Sequence, residues 1–409
     1  MKILHVNYSD INGGAAIACN RLHQALIKGK IDSWLLVNEL SGDIEKTIGP
    51  NSSLEITFAK LKKFLSIKLK KIMKANNIYK DSISFFKSNV YKKINNLNPD
   101  IINLHWICNE MIALEQLKKL NKPVVWTIVD MWPFVGAEHY SDDEMYYQSN
   151  KNPSNSKKKN FDINYWVWKR KIKSYKNNFF VVCISKWLAK KAKSSLLFKN
   201  NNIITIPCTI DSNEWKPINK YTAREILNLE KNKKYIVFSA YNGIDDYRKG
   251  FDLLLESLKK LKFSNKDLEL IIIGKANNKL LLNSNIKFKL FEEHFFGSSI
   301  PLRLIYSASD LIAIPSRVEA FGQVALEAGC CEIPSVGFNN TGLEDVIDHQ
   351  KNGYLANHLS VEDFTQGLDE LLNDEKNNVY KKNIRSKIIN NFSYDKIAPQ
   401  YLSAYKKLI

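Results

Sequence analysis

Two glutamates, Glu319 and Glu327, stand eight residues apart in the stretch PSRVEAFGQVALEAGCCEIP. The preceding run DLIAIPS is short and apolar, which predicts a buried strand, so Glu319 falls in the loop that follows it. Gly322 marks the start of a helix, and Glu327 lies one to two turns into that helix. An ionised carboxylate accepts hydrogen bonds at both oxygens, which suits the two hydroxyls of a vicinal diol.

The start of this predicted helix offers a second kind of contact. The first-turn N–H groups of Phe321, Gly322 and Gln323 would point into the same place and favour an anion there. Two diol-binding carboxylates that flank an anion site match the layout of a nucleotide sugar, in which a diphosphate joins a ribose to a hexose. The alternative is an ordinary loop glutamate and a surface glutamate on a helix.

Cations and glycines at two other predicted helix starts suit the same ligand. In YRKGFDLLLESL, Arg248 and Lys249 precede a helix and could hold a diphosphate. In DINGGAAIACN, Gly13 and Gly14 follow the first strand and would let backbone N–H groups approach a phosphate. Each motif alone is weak, because the full GxGxxG and GK[ST] patterns are lacking. A charged loop and a tight turn are the simpler interpretations.

Alternating strand and helix patterns must position these residues. Strand-like runs in the first half are KILHVNY, SWLLV, IINLHW, PVVWTIV, FFVVCIS and NIITIP. In the second half they are YIVFSA, LELIIIG, IKFKLF, DLIAIPS and IPSVGF. The alternation predicts an α/β fold with two facing, doubly wound Rossmann-like domains, each built on a parallel sheet. Ligands of such sheets bind beyond the carboxyl ends of the strands, so the chemistry is expected in a cleft between the domains.

The chain length and a polar stretch set the expected boundaries. A chain of 409 residues favours two domains over one. We expect an N-terminal domain over 1–207, a linker over 208–232, a C-terminal domain over 233–392, and a C-terminal helix over 393–409 that packs back toward the N-terminal domain. Ser393 could cap that last helix, and Pro399 predicts a kink or break in it.

The positive charge is concentrated in one region. The net charge is +18, and eleven lysines against one acid, Asp81, lie between Lys60 and Lys93. In FAKLKKFLSIKLKKIMK the apolar residues recur at spacings of three and four. This pattern predicts an amphipathic helix with a cationic rim, and we expect the Lys60–Lys74 region to bind an anionic membrane surface. A solvated helix face is the alternative. No RNA or DNA motif accompanies the charge, so nucleic acid is not an expected partner.

Cysteine usage and hydropathy indicate the compartment. The six cysteines include no CxxC pair, which predicts reduced thiols. Neither a transmembrane helix nor a signal peptide is expected. We therefore expect a cytoplasmic protein, peripheral at the inner face of the cell membrane.

The E-x7-E segment and its surroundings carry a family resemblance. PSRVEAFGQVALEA, followed by CCEIPSVGFNNTGLEDVIDHQKNGYLA, resembles the signature of GT4-type retaining glycosyltransferases, which have the GT-B fold. YRKGFDLL and INGGAA extend the match. VVWTIVDMWPFVGAEHY and VVCISKWLAKKAKSS resemble a subgroup that builds bacterial surface polysaccharides such as O-antigen. The E-x7-E and DMWPF blocks are the specific parts of this match.

The resemblance implies roles for the residues that match it. Glu319 would bind the hydroxyls of the donor hexose, and Glu327 would bind the ribose. Arg248 and Lys249 would neutralise the diphosphate, with Gly13 and Gly14 contacting it from the other domain. The implied reaction transfers a hexose from a UDP or GDP sugar with retention, and neither a metal nor a cofactor is expected.

An acceptor is expected to meet the N-terminal domain. The loops after its strands carry aromatic, histidine and carboxylate side chains that suit sugar faces and hydroxyls: His105, Trp106, Asp130, Trp132, Glu138 and His139. A plain hydrophobic core is the alternative for the tryptophans and Phe134. The resemblance implies a saccharide acceptor, often a lipid-linked one, which would give the cationic helix a purpose.

One position departs from the pattern. The subgroup usually has His where Val129 stands in WTIVDMW, and in the wider family that His faces the donor sugar. An apolar residue there suits a sugar that lacks a hydroxyl, such as a 6-deoxy hexose. Two other functions stay open: an inactive relative that serves as a binding subunit, and a sugar-nucleotide epimerase or hydrolase.

Overall fold

The computed structural model describes residues 1–73, 77, 79–141, 147–148, 162–175, 179–241, 243–262, 267–275, 286–292 and 299–409. Lys74 lies outside these residues. The chain divides into two compact units, of which the first contains Met1–Pro207 with Ile397–Ile409 and the second contains Cys208–Lys396.

The first unit is built on a parallel sheet with the order β3-β2-β1-β4-β5-β6-β7. Its strands are β1 (Lys2–Ser9), β2 (Asp32–Glu39), β3 (Thr47–Ile48), β4 (Ile101–Leu104), β5 (Val124–Ile128), β6 (Phe180–Cys183) and β7 (Ile203–Thr205). Its helices are α1 (Gly14–Lys28), α2 (Ser53–Ile72), α3 (Val90–Leu97), α4 (Ile163–Ser174) and α5 (Lys186–Ser194). The order extends in both directions from β1, so loops diverge at the carboxyl ends of β1 and β4.

The second unit repeats this architecture with the order β10-β9-β8-β11-β12-β13, again all parallel. Its strands are β8 (Lys234–Ala240), β9 (Leu268–Gly274), β10 (Phe288–Phe291), β11 (Leu311–Ile314), β12 (Ser335–Phe338) and β13 (Tyr354–Ala356). Its helices are α6 (Lys220–Ile226), α7 (Phe251–Lys259), α8 (Ser299–Ala308), α9 (Gln323–Cys330), α10 (Val361–Leu372) and α11 (Asp374–Phe392). Here the loops diverge at the carboxyl ends of β8 and β11.

Apolar strands form the core of each unit. β4, β5, β6, β9 and β11 are buried along their whole length, as expected for parallel strands covered on both faces. All six cysteines are buried, and none of them forms a disulfide. Within the described part of the chain, every helix is too short or too polar to span a bilayer.

The stretch 208–232, predicted as a linker, belongs to the second unit and contains helix α6. Arg224 of this helix is 2% exposed and donates to the carbonyl of Ala308 at 2.9 Å and to the carboxylate of Asp310 at 3.1 Å. Because a buried guanidinium needs such partners, these contacts fasten the segment to the sheet. Because this stretch is polar, its sequence did not reveal the packed helix α6.

The last helix, α12 (Tyr394–Lys406), supplies Ile397, Tyr401 and Tyr405 to the core of the first unit. The hydroxyl of Tyr405 accepts a hydrogen bond from Asn103 Nδ2 at 2.7 Å. The helix continues through Pro399, so the chain does not break where the sequence suggested.

Candidate functional site

The sheet of the second unit places three predicted residues together. β8 and β11 are neighbours, and the loop after β8 carries Arg248 and Lys249 while the loop after β11 carries Glu319. Parallel strands end at the same edge of a sheet, so these loops converge although they are 70 residues apart in sequence.

These loops form a carboxylate–cation cluster, defined here as Arg248, Lys249, Ser316 and Glu319. Lys249 Nζ donates to Glu319 Oε2 at 2.7 Å, and Ser316 Oγ donates to the same oxygen at 3.3 Å. Arg248 approaches that oxygen at 3.8 Å and donates to the carbonyl of Val318 at 3.3 Å. The ionic side chains retain only 12–19% exposure. The cluster therefore holds two cations and one carboxylate in a largely desolvated place.

Backbone geometry brings the Arg248–Lys249 turn close to the end of β11. Asp246 caps this turn by accepting from the N–H of Arg248 at 3.1 Å. Gly250 follows with φ of 67°, and a Cβ there would lie 2.0 Å from the carbonyl oxygen of Pro315. Only glycine permits this approach. The K-G-F motif in the sequence thus has a structural cause.

Charge and burial act in opposite directions on Glu319. Burial raises the pKa of this carboxyl, but the charges of Lys249 and Arg248 outweigh burial and leave the pKa below its usual value. For Lys249, burial lowers the pKa, Glu319 raises it and Arg248 lowers it, with a net decrease. Glu319 is therefore ionised at neutral pH, and Asp246, whose Oδ2 lies 3.5 Å from Arg248, is a second carboxylate beside the two basic groups.

Helix α9 carries the second glutamate. Gly322 is its N-cap residue with φ of 104°, and no side chain caps the helix start. Glu327 is 5% exposed and accepts a hydrogen bond from the hydroxyl of Tyr306 at 3.2 Å. Burial and the Glu327 charge raise the pKa of Tyr306 well above its ordinary value, so this hydroxyl stays a donor. Tyr306 lies on α8 and was not predicted, since no local motif marks it.

The remaining predicted residues of this segment lie at the start of α9. The Phe321 ring is 1% exposed and packs edge-on against Phe392 with centroids 5.8 Å apart. Its side chain is therefore part of the core, which leaves only its N–H for a ligand. Gln323 is the first residue of α9 and is half-buried.

In the first unit, Gly13 and Gly14 lie at the start of α1, directly after β1. Gly13 is the N-cap residue, and neither a side-chain cap nor an acidic residue occupies the first turn. A Cβ added at Gly13 or Gly14 would meet nothing within 4 Å. Packing within the unit therefore leaves room at this helix start, as an approaching phosphate would require.

Four of the residues predicted to meet an acceptor are buried. Asp130, Glu138, His105 and His139 are each 3–7% exposed. His139 Nδ1 lies 2.6 Å from Asp130 Oδ2, and His139 Nε2 lies 2.9 Å from Ser82 Oγ. Asp130 also accepts from the indole N–H of Trp106 at 2.9 Å. Ser82, Trp106, Asp130 and His139, named here the Asp130 cluster, contact one another, and all but Trp106 are buried.

Trp106 is the half-exposed member of this cluster, but its ring is covered. The His139 imidazole stacks on it with centroids 5.3 Å apart, and Lys80 Nζ lies 4.3 Å from the ring centroid. His139 and Lys80 thus contact the Trp106 ring, and its contact with a sugar stays a prediction. Trp132 and Phe134 are core residues, at 1% and 0% exposure.

A buried lysine holds the DMWPF loop. Lys171 on α4 is fully buried and donates to the carbonyls of Trp132, Val135 at 3.1 Å and Gly136 at 2.7 Å. Burial lowers its pKa to about 7, although nearby acidic groups including Glu138 oppose this decrease. The loop that carries Asp130 and His139 thus depends on a side chain from a distant helix.

One group of possible metal ligands occurs in the described ranges: His5, Cys19 and His105, with ligand atoms within 4.8 Å of one another. His5 Nδ1 and His105 Nε2 lie 2.9 Å apart, as in a hydrogen-bonded pair of rings. Burial lowers the pKa of His105 to about 3, so its ring is neutral. This group is a buried polar contact, and His105 belongs to it rather than to a surface.

Val129 follows β5 directly and is 9% exposed. Its neighbour Asp130 points into the Asp130 cluster. Val129, at the position where the subgroup usually has histidine, therefore gives the end of β5 an apolar side chain.

Comparisons of sequence match part of this chain to known proteins. Residues 219–387 match the family model described as glycosyl transferases group 1. A protein of Haemophilus influenzae named "uncharacterized glycosyltransferase" is 27% identical over 231 residues, which cover 53% of this chain and 62% of that protein. The chain spans about half the length of the curated relatives it matches.

Comparisons of structure cover the whole chain. Sucrose-phosphate synthase from Thermosynechococcus elongatus has a TM-score of 0.71 at 17% identity and covers 100% of this chain and 99% of its own. HepE from Anabaena, solved in complex with UDP-glucose, has a TM-score of 0.65 at 17% identity with complete coverage of both chains. The predicted GT-B fold is confirmed, and so is the resemblance to GT4-type glycosyltransferases.

Proposed function

We propose that this chain, whose residues 219–387 match the model of the glycosyl transferases group 1 family, transfers a hexose from a nucleoside-diphosphate sugar to a saccharide acceptor. The observation that carries the proposal is the carboxylate–cation cluster beside the uncapped start of α9. It combines two cations, the ionised carboxylate of Glu319 and a helix start without a side-chain cap at the divergent strand ends of an α/β sheet. The cations and the helix start suit the diphosphate of a nucleotide sugar, and the carboxylate suits the hydroxyls of its hexose.

Each part of the cluster has a role in the proposed reaction. The leaving diphosphate gains negative charge in the transition state, and Arg248, Lys249 and the amides at the start of α9 would stabilise that charge. Glu319 would accept from hexose hydroxyls while its contact with Lys249 orients the ammonium group. Glu327 would accept from the ribose, with Tyr306 fixing the carboxylate. Phosphate neutralisation by two side chains supports a reaction without a metal, and retention rests on the family resemblance.

The donor base is proposed from a structural neighbour. HepE was solved with UDP-glucose, so UDP sugars are the first donors to test and GDP sugars are the next. Gly13 and Gly14 as contacts to the same diphosphate, and a contribution of Val129 to a preference for 6-deoxy sugars, stay predictions.

Helix α2 supports a membrane partner for the acceptor. Its apolar stripe faces solvent, with Phe58 57%, Leu61 46%, Leu65 39% and Ile72 77% exposed. The helix is anchored by its other side, where Ser66 donates to Glu110 at 2.8 Å and Lys70 pairs with Asp81. An exposed apolar stripe beside lysines is typical of a helix that lies in an anionic membrane surface. We therefore propose that the enzyme binds a membrane surface, where it would act on a lipid-linked saccharide in surface-polysaccharide synthesis.

The first experiment measures donor binding and turnover. Purified protein is screened against UDP and GDP sugars for thermal stabilisation, and stabilising donors are then incubated with saccharide acceptors. A saturating donor at 100 times its Kd should stabilise the fold by about 2.7 kcal/mol. The variant Arg248→Met/Lys249→Met should lose this stabilisation. The control Lys260→Met removes an exposed lysine of the same unit and should keep it. Stabilisation that survives the double replacement would refute the assigned site.

Turnover separates the other functions. Consumption of the donor without any acceptor would favour an epimerase or hydrolase. Donor binding with no consumption under any acceptor would favour the inactive relative, for which Val129 is the motivating residue.

The membrane placement has its own test. Sedimentation with vesicles that contain anionic lipid should depend on exposed lysines of α2, so Lys60, Lys68 and Lys71 are replaced by Gln. The matched control replaces the exposed Lys259, Lys260 and Lys382 of the second unit. Equal binding of both triple variants would contradict the role of α2.

A further inference from the structure

Two lysines of the first unit extend over neighbouring aromatic rings at the divergent strand ends. Lys63 Nζ, from α2, lies 5.6 Å from the ring centroid of Tyr8, and Lys80 Nζ lies 4.3 Å from that of Trp106. The two rings meet edge to face with centroids 5.9 Å apart. Tyr8 is near the end of β1 and Trp106 follows β4, so the lysine pair Lys63–Lys80 sits above the place where ligands of such sheets bind.

The platform under this lysine pair is rigid. The N–H of Tyr8 donates to the carbonyl of Trp106 at 2.9 Å, and the N–H of Trp106 donates to Asn7 Oδ1 at 2.9 Å. The indole N–H is held by Asp130 in the Asp130 cluster. The Asp130 cluster therefore acts beneath the surface, by fixing the ring on which Lys80 lies.

The charges of the lysine pair lack a protein counterion in the described ranges. Lys70, the neighbouring lysine, pairs with Asp81. Neither Lys63 nor Lys80 has a carboxylate within 4.0 Å among the described residues, and both residues are exposed. Partial burial of the amino group against Trp106 lowers the pKa of Lys80, and the charges of Lys63 and Lys70 lower it further, while Asp130 opposes the decrease. Repelling cations held close together favour an anion between them.

Apolar surface adjoins the pair on the same helix. Ile67 lies one turn after Lys63 and is 42% exposed, and Phe64 is 51% exposed. A ligand that contacts Lys63 through an anionic group can therefore lay a hydrocarbon chain along α2. That combination describes an amphiphile with a phosphate head.

We propose that Lys63 and Lys80 bind the phosphate or diphosphate of an acceptor in which that group joins a saccharide to a lipid chain. The inference rests on the proposed function and specifies its acceptor. Lysine binds phosphate as a point charge, and two of them suit a group that carries more than one negative charge. The donor diphosphate has its own cations, Arg248 and Lys249.

The test measures binding directly and does not require turnover. Farnesyl diphosphate is the probe, titrated calorimetrically in saturating UDP so that the donor cations are occupied. Lys63→Gln/Lys80→Gln should weaken its binding by roughly tenfold per lysine. The control Lys60→Gln/Lys71→Gln changes two exposed lysines of the same helix and should leave the affinity within about twofold. Because all four side chains lie near the surface, both variants should keep the wild-type melting temperature.

Three further probes identify the source of the phosphate. Farnesol, which lacks the charge, and inorganic diphosphate, which lacks the chain, should each bind more weakly than farnesyl diphosphate. Vesicles with anionic lipid should lose affinity equally in both double variants. Equal weakening of farnesyl diphosphate binding in the two doubles, or inorganic diphosphate binding as tightly as the prenyl form, would overturn the proposal. Failure of UDP to bind would count against the donor site alone, because the two double variants can still be compared for their affinity for farnesyl diphosphate.

Discussion

Replacing Glu319 by Gln separates two roles that this carboxylate could have. In the fold it is the counterion of Lys249, at 2.7 Å, and of Arg248, at 3.8 Å. In the proposed reaction it also accepts from hydroxyls of the donor hexose. A counterion competes with the donor diphosphate for the same cations, whereas a hexose contact adds affinity only when the sugar is present. UDP and UDP-hexose should therefore respond in opposite directions.

The magnitudes follow from the contacts. Hydrogen bonds to a charged group contribute about 1.5–3 kcal/mol, so loss of the hexose contacts should weaken UDP-hexose relative to UDP by roughly 10- to 150-fold. UDP alone should bind Glu319→Gln at least as tightly as the wild type, because Glu319 no longer competes for the two cations and only Asp246, 3.5 Å from Arg248, remains beside them. Isothermal titration of both ligands against both proteins measures the ratio.

Two controls make the result interpretable. Thermal unfolding of the free proteins shows whether the neutral side chain keeps the Arg248–Lys249 turn in place. Asp252→Asn removes a carboxylate of the same unit that pairs with Arg317, and it should leave the ratio unchanged. An unchanged ratio of UDP to UDP-hexose affinity in folded Glu319→Gln would refute the hexose contact, and a large loss of UDP affinity would refute the counterion argument.

Three other outcomes are expected. Glu327→Ala should lose about 1.5–3 kcal/mol of donor binding free energy. Tyr306→Phe should lose less, because the Tyr306 hydroxyl only orients the Glu327 carboxylate, and calorimetry of UDP binding compares the two variants. Asp310→Ala should destabilise the second unit by about 3–5 kcal/mol in urea unfolding, because it leaves the buried guanidinium of Arg224 without its carboxylate. Asp374→Ala removes a mostly exposed partner of Lys234 and should cost under about 1 kcal/mol. Lys171 has a pKa of about 7 in the fold against an ordinary value near 10.5, so between these values the unfolded chain binds more protons and stability should rise with pH. Chemical unfolding at pH 7 and 9 should show this rise in the wild type and less of it in Lys171→Met.

Each of these can fail in a distinct way. Donor binding that ignores Glu327→Ala would remove the ribose assignment. Equal costs for Asp310→Ala and Asp374→Ala would mean that burial does not decide the strength of these ion pairs. A parallel pH dependence in the wild type and in Lys171→Met would contradict the shifted pKa of the buried amine.

The sequence predicted most of the scaffold because burial leaves a periodic signal. Each apolar run named as a strand is a strand or contains one. The E-x7-E segment was placed correctly as a loop followed by a helix, since Gly322 interrupts the apolar pattern. The amphipathic pattern of α2 also predicted a helix, although only the structure shows that its apolar stripe is exposed.

The sequence did not show which distant partner a polar side chain contacts. Residues 208–232 have the composition of a linker, yet the ion pair of Arg224 with Asp310 spans 86 positions. His139 and Asp130 have the residue types of a sugar site, yet they bond to Ser82, Trp106 and each other under the surface. A residue type states which bonds a side chain can make, and it does not state which partner is near.

By itself the sequence determined most of the strands, the two-unit α/β class and the segment that carries the paired glutamates, because these depend on local periodicity and on glycine. Only the tertiary structure decided that Lys249 meets Glu319, that Tyr306 supports Glu327 and that Lys63 and Lys80 lie over adjoining rings. Those contacts join residues on different strands and helices. The order of strands in the sheet brings such residues together, and that order is set by the packing of the whole unit rather than by any local stretch.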